Sequence, residues 1–334
     1  MKTKKLLVAV AVLAVALAGC MGNTQPSGDR TSSSELQSNA TVDDALRLLN
    51  ESVSNVEDAP VLFVFGKDVS VDELEEDMIQ ARDKAQRARE IAETLEDGGK
   101  IETEKASRLK ATADVIIGVA EGDIAHARAH KYLENARSHL RQASTNNIKP
   151  LNRALEDVET ARQKLNKSQS IYAETNASLA QLDDPTVNIT PVRNHLIYQH
   201  EEHMPFMRPL GNGWVSYVEG LRSLYTGLGT VSVYLEDGRL PEERWRDASE
   251  SFEAAKENFN QSLRSFDEYM EIKPARGKGS IQRGQAEAFI SSLRTLRQTA
   301  TEFRRAADAG AEGNTNLADK RIQEARRLLG EVSG

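Results

Sequence analysis

Apolar residues in this chain recur at alternating steps of three and four, and from residue 70 onward they do so almost everywhere. Val71, Leu74, Met78, Ala81, Ala85, Ala88, Ala92 and Leu95 make one such run. The spacing gathers all of them on one stripe of an α-helix, whereas a strand would scatter them over both faces. Proline rarely interrupts the pattern, with nine in 334 residues. Aromatic residues are scarce, at 5%, and charged ones frequent, at 28%, a balance that suits long amphipathic helices better than sandwiches or barrels. The expected class is all-α, built of long antiparallel helical hairpins that form a bundle or a short solenoid. One exception is Pro60-Val-Leu-Phe-Val-Phe-Gly66, which predicts a short extended segment near 61–65 lying against the helices.

Turn residues divide the stripes. Ser70 with Glu73 has the form of a capping box, and Gly98-Gly99 ends the helix it opens. A second helix carries Ile101, Leu109, Ile116 and Val119 to Gly122-Asp123, read as a stop followed by a new N-cap. Further helices are expected over about 123–145, from Pro150 to about 182, and over 191–204. Pro205 to Pro209 and a turn at Gly211-Asn212-Gly213 follow. Beyond them Trp214, Val218, Leu221, Leu228, Val231 and Leu235 form a stripe, although Thr230 to Leu235 also alternates as a strand does. Gly213, Gly220 and Gly227 recur every seven residues. Glycine costs a helix roughly 1 kcal/mol relative to alanine, so this spacing predicts a face that another helix approaches closely. Pro241 opens a helix with Trp245, Phe252, Phe259 and Phe266 in register; others span 280–309 and the residues after Gly313.

The first 20 residues carry an address. Lys2, Lys4 and Lys5 precede an apolar run from Leu6 to Leu17, which is too short to span a bilayer but has the length of a signal-peptide core. Leu17-Ala18-Gly19-Cys20 then resembles the lipobox of prokaryotic lipoproteins. That resemblance implies cleavage after residue 19, a diacylglyceryl group on Cys20, and an extracytoplasmic protein anchored to a membrane by that lipid. Cys20 is the sole cysteine, so a lipidated chain has no disulfide and no thiolate ligand. Residues 20–40 are rich in Ser, Thr, Gly and Asn and read as a flexible tether with a reach of roughly 25 Å. Helical regions are expected over 41–205 and 206–334.

Ala129-Leu133-Ala136, Ala248-Phe252-Ala255 and Ala318-Ile322-Ala325 share a spacing that resembles the second helix of a tetratricopeptide hairpin. The helices here are longer, and the first-helix Trp/Leu/Gly/Tyr pattern of that family is missing. Without residues 1–20 the chain holds 40 basic against 51 acidic residues, a balance that gives nucleic acid little to bind.

All six histidines fall in two segments, 126–139 and 195–203. His126 and His130 stand one helical turn apart. His195, His200 and His203 crowd together with Met204 and Met207. Imidazole with thioether suits copper, and imidazole with a carboxylate suits zinc; where the two segments meet, a bundle-core transition-metal site is the candidate. No other cofactor is implied. Lys273, Arg276, Gly277, Lys278, Gly279 and Ser280 form a basic loop entering a helix, a candidate for binding phosphate or carboxylate, though not a Walker loop. Asn39, Asn50, Asn166, Asn176, Asn188 and Asn260 head N-x-S/T sequons and are candidate glycosylation sites. No catalytic motif is visible; folding can assemble a triad that no spacing reveals, so an enzyme stays open while a binding protein is the preferred reading. The function expected is a membrane-anchored extracytoplasmic helical scaffold engaging an envelope protein partner. The alternative is a ligand- or metal-binding lipoprotein using segment 195–207.

Overall fold

The computed structural model describes residues 40–59, 70–145, 147–272 and 280–332. The signal region with Cys20, the tether up to residue 39, the segment at 61–65 and the basic loop at 273–279 lie outside the described residues. Among those described, the elements are α1 (Val42–Asp58), α2 (Val71–Asp97), α3 (Thr103–Gln142), α4 (Lys149–Ala180), α5 (Thr190–Ile197), a π-helical turn (Tyr198–His203), α6 (Met204–Asp237), α7 (Glu242–Glu271), α8 (Ser280–Ala311) and α9 (Thr315–Val332). The only β-type pairing among them is an isolated bridge, Ser144 with Asn147, in the turn between α3 and α4. The all-α class holds. The chain divides into two compact units. The first contains the described residues up to Lys131 together with Gln163–Pro205; the second contains Tyr132–Arg162 and Phe206–Gly334.

In the first unit, α1 packs on α2 and α5, and α5 adjoins the π-helical turn. The sequence reading did not single out α1, although Thr41 caps it: its hydroxyl accepts from the Asp44 amide, while Asp44 accepts from the Thr41 amide at 3.0 Å. Ser52 from α1 donates to the Ala81 carbonyl at 2.5 Å. The turn after α2 uses Gly99 at φ 64°, a conformation open to glycine without strain. Antiparallel pairing of α2 with α3 is marked by Lys110 on Glu96 (2.7 Å) near one end and by Arg128 and Lys131 on Glu75 (2.7 and 2.6 Å) near the other.

α3 corrects the sequence reading. It runs unbroken for 40 residues, through the Gly122-Asp123 pair expected to end one helix and start the next. Gly122 is a notch rather than a stop: a methyl group there would overlap the ring of Tyr172 from α4. Gly118, one turn earlier, makes the same room for Thr175. Asp123 does not cap anything; it is wholly buried.

The second unit bears out the expected close approach at the glycine heptad. Cβ atoms built at Gly213, Gly220 and Gly227 would each lie 2.6 Å from a ring carbon, of Phe266, Phe259 and Phe252 respectively. Each step of seven forward along α6 is thus met by a step of seven backward along α7, the register of an antiparallel pair. Ser262 fixes it by donating to the Gly213 carbonyl at 2.8 Å. Phe252 stacks in turn on Phe303 of α8, with ring centres 5.2 Å apart. The stretch from Thr230 to Leu235 is helical, with Val231 and Tyr234 buried and Val233 exposed. The turn expected at Gly211–Gly213 is also helical, because Gly213 belongs to the packed ladder.

Replacing Gly220 by Ala is expected to destabilise the protein by about 1–3 kcal/mol through overpacking against Phe259. Adding Phe259→Leu should recover part of the loss. Gly330→Ala, at a helical position with nothing within 4 Å, is the control. It should be neutral or stabilise by up to about 1 kcal/mol. Urea unfolding midpoints measure all three.

Candidate functional site: a buried histidine and aspartate cluster

The site lies wholly within the first unit and is organised by Asp123. Its position in α3 places Asp123, His126 and His130 at i, i+3 and i+7, on one helical face. A buried carboxylate is tolerated only where donors surround it. Asp123 has three, each from a different element. Tyr172 of α4 donates its hydroxyl to Oδ1. Gln199 of the π-helical turn donates to the same oxygen at 3.1 Å. His195 of α5 holds Oδ2 through Nε2 at 2.7 Å. Beside them Ser168 donates to the Gly122 carbonyl at 2.8 Å.

These contacts set the proton affinities. Burial alone would depress the His195 imidazole, but the charge of Asp123 and its hydrogen bond outweigh it, so the pKa is raised. Burial pushes the Tyr172 hydroxyl well above its usual value, and the Asp123 charge and hydrogen bond add to this. Tyr172 is therefore a fixed donor rather than a proton source.

Next to this network stand three more imidazoles. The ring of His126 lies 5.0 Å, centre to centre, from that of His130 and 5.0 Å from that of His203. The His203 ring is also stacked with that of Tyr198 at 6.1 Å. His126 is fully buried, and neither of its ring nitrogens has a hydrogen-bond partner. Burial, reinforced by the neighbouring His203, His130 and His195, lowers its pKa well below the ordinary value. Burial also lowers His203, to about 4, against the attraction of Asp123 and with the help of His195. The interior thus holds one imidazole that favours its proton and two that shed theirs.

Of the residues marked in the sequence, His126, His130, His195 and His203 come together here. His200 is half-buried on the π-helical turn, its Nδ1 enclosed without a partner. Met204 and Met207 are buried, and Met207 belongs to the second unit. Among the described residues no group of three or more His, Cys, Asp or Glu side chains stands ready to hold a metal ion. Asn50, Asn166 and Asn188 are exposed, while Asn176 and Asn260 are half-buried. Asn39 and the basic residues Lys273 to Gly279 lie outside the described residues, and Ser280 opens α8. Sequence reasoning missed Asp123, Tyr172 and Gln199. The signal was present in the i, i+3, i+7 spacing of Asp123, His126 and His130, but reading a break at Gly122 hid it.

Two outcomes follow for the metal-free protein. Histidine NMR should show His195 titrating above 6.5, and Asp123→Asn should lower it to below the ordinary value, because burial remains when the charge is gone. Stability should also depend on pH in a definite direction. Between their depressed folded values and 6.5, His126 and His203 bind protons more readily unfolded than folded. Their contribution is complete above pH 6.5 and is lost as pH falls below it, down to about 4 for His203. That of His195 is complete below pH 6.5 and fades as pH rises through its raised value. Urea midpoints in chelator-containing buffer should therefore drop between pH 6.5 and 4, and drop less in His126→Leu; equal slopes would contradict the assignment.

No protein-family model, curated protein or solved structure matches this chain.

Proposed function

We infer that the chain is a membrane-tethered, extracytoplasmic binding protein, held by a lipid on Cys20, whose recognition centre is the buried histidine and aspartate cluster. The tether rests on the lipobox-like Leu17-Ala18-Gly19-Cys20. No helix among the described residues is long and apolar enough to cross a membrane. The observation that carries the binding reading is His126, an imidazole at the middle of a helical unit with both nitrogens enclosed and unpartnered. Each such group costs about 1–3 kcal/mol, and an apolar side chain of similar size would avoid the cost. A ligand that engages those nitrogens offsets it.

A protein partner from the envelope, engaging the outer helix faces, has less support. The large apolar side chains exposed among the described residues are Ile197, Val233 and Leu317, scattered singly over α5, α6 and α9. Isolated apolar residues of this kind are normal on any surface.

Expression in a host that processes lipoproteins tests both halves. The wild-type protein should sediment with membranes and show the mass of a chain beginning at an acylated Cys20, and Cys20→Ser should abolish both. An intact leader in the wild-type mass would remove the tether. Native mass spectrometry of the detergent-extracted protein should show a bound species that His126→Leu loses. Identical spectra for the two, with His126→Leu the more stable, would mean that the cluster is only a structural element.

A further inference from the structure

Resting on the reading of this cluster as a recognition centre, we propose that His126, His130 and His203 are the ligands of one borderline divalent transition-metal ion, of the zinc, cobalt or nickel class. The geometry carries the assignment. With a metal–nitrogen bond of about 2.0–2.1 Å and the ring centre roughly 1.1 Å beyond the nitrogen, two imidazoles on one tetrahedral ion hold their centres about 5.2 Å apart. His126 stands 5.0 Å from His130 and 5.0 Å from His203, so it sits at ligand spacing from both neighbours at once. Its two nitrogens are enclosed in protein and engaged by nothing.

The chemistry of the surroundings agrees. All three residues are buried, so the ion would be shielded from water on most sides. Ligation needs the neutral imidazole, and enclosure of His126 and His203 away from water disfavours the charged one. Asp123, three residues before His126, supplies a buried carboxylate whose attraction reaches His203, a countercharge for a cation. Cys20 is the sole cysteine, and the cluster supplies nitrogen rather than an oxygen cage, which favours borderline ions over calcium or magnesium. His203 closes a π-helical turn, and single π-turns are concentrated at functional sites. As the side chains stand, no group of three His, Cys, Asp or Glu among the described residues is placed to hold an ion. Loading turns the three rings about χ2, a broad two-fold torsion in histidine.

The test uses the mature chain without a histidine tag, stripped with chelator and titrated with zinc chloride and with cobalt chloride. One equivalent of each should bind, and the cobalt form should show the intense visible bands of a tetrahedral site. His126→Leu and His203→Leu should each weaken binding by about a hundredfold or more, while His139→Leu, in the second unit, should not. If a Leu variant does not fold, zinc titration of the wild type followed by histidine NMR replaces it. The resonances of His126, His130 and His203 should then move together while His139 stays. A folded wild type that binds neither ion overturns the site, as does binding that survives both Leu substitutions. If the wild type rejects both ions but retains an organic molecule that His126→Leu releases, the metal is wrong and the binding reading stands. If nothing binds and His126→Leu is simply more stable, both fall.

Discussion

A carboxylate enclosed in a helical unit has to be answered by hydrogen-bond donors, and Asp123 is answered from three directions. Tyr172, His195 and Gln199 belong to α4, α5 and the π-helical turn, and each reaches the same side chain on α3. Breaking one such contact leaves the buried carboxylate short of a donor, at a cost of about 1.5–3 kcal/mol, so the three elements are held to α3 at set depths. That constraint delivers His203 to the face where His126 and His130 already stand. The imidazole cluster is in this sense a consequence of the carboxylate, and the two nitrogens of His126 are the part the fold leaves unanswered.

Close approach is obtained by the same device in both units. Gly118 and Gly122 of α3 open notches for Thr175 and Tyr172 of α4; Gly213, Gly220 and Gly227 of α6 do so for phenylalanines of α7. A glycine inside a helix weakens it locally, and the side chain that fills the notch offsets this through burial and dispersion. In the first unit this packing also serves chemistry, since the ring seated on Gly122 is the one whose hydroxyl holds Asp123. In the second unit the notches seat Phe266, Phe259 and Phe252, and Ser262 donates to the Gly213 carbonyl beside them.

How much could be read from the sequence depended on how local the signal was. Apolar stripes identify helices because their period is a property of neighbouring residues, and the heptad of glycines disclosed a close helix contact before any partner was known. The phenylalanines opposite them at 252, 259 and 266 were legible as a stripe, but their pairing with particular glycines requires the antiparallel register. Gly122 shows the limit. A glycine followed by an aspartate is the local signature of a helix end, and the rest of the chain overrides it by supplying Tyr172 as a ring for the notch and donors for the acid. The gathering of histidines into two segments was likewise visible. Which of them meet was not, because the π-helical turn rotates His203 relative to His200 in a way no regular period foretells. α1 escaped notice although Thr41 and Asp44 carry a box motif; its stripe of Ala45, Leu49, Val53 and Val56 is short and follows a Ser- and Asn-rich stretch of sequence.

The central claim is that the enclosed nitrogens of α3 and the π-helical turn exist to be engaged by an ion. X-ray absorption at the zinc edge of the loaded protein measures this without any substitution. The account predicts a first shell of nitrogen at about 2.0–2.1 Å, with the outer-shell scattering of three imidazole rings. A shell made of oxygen alone, or one lacking imidazole scattering, would contradict it.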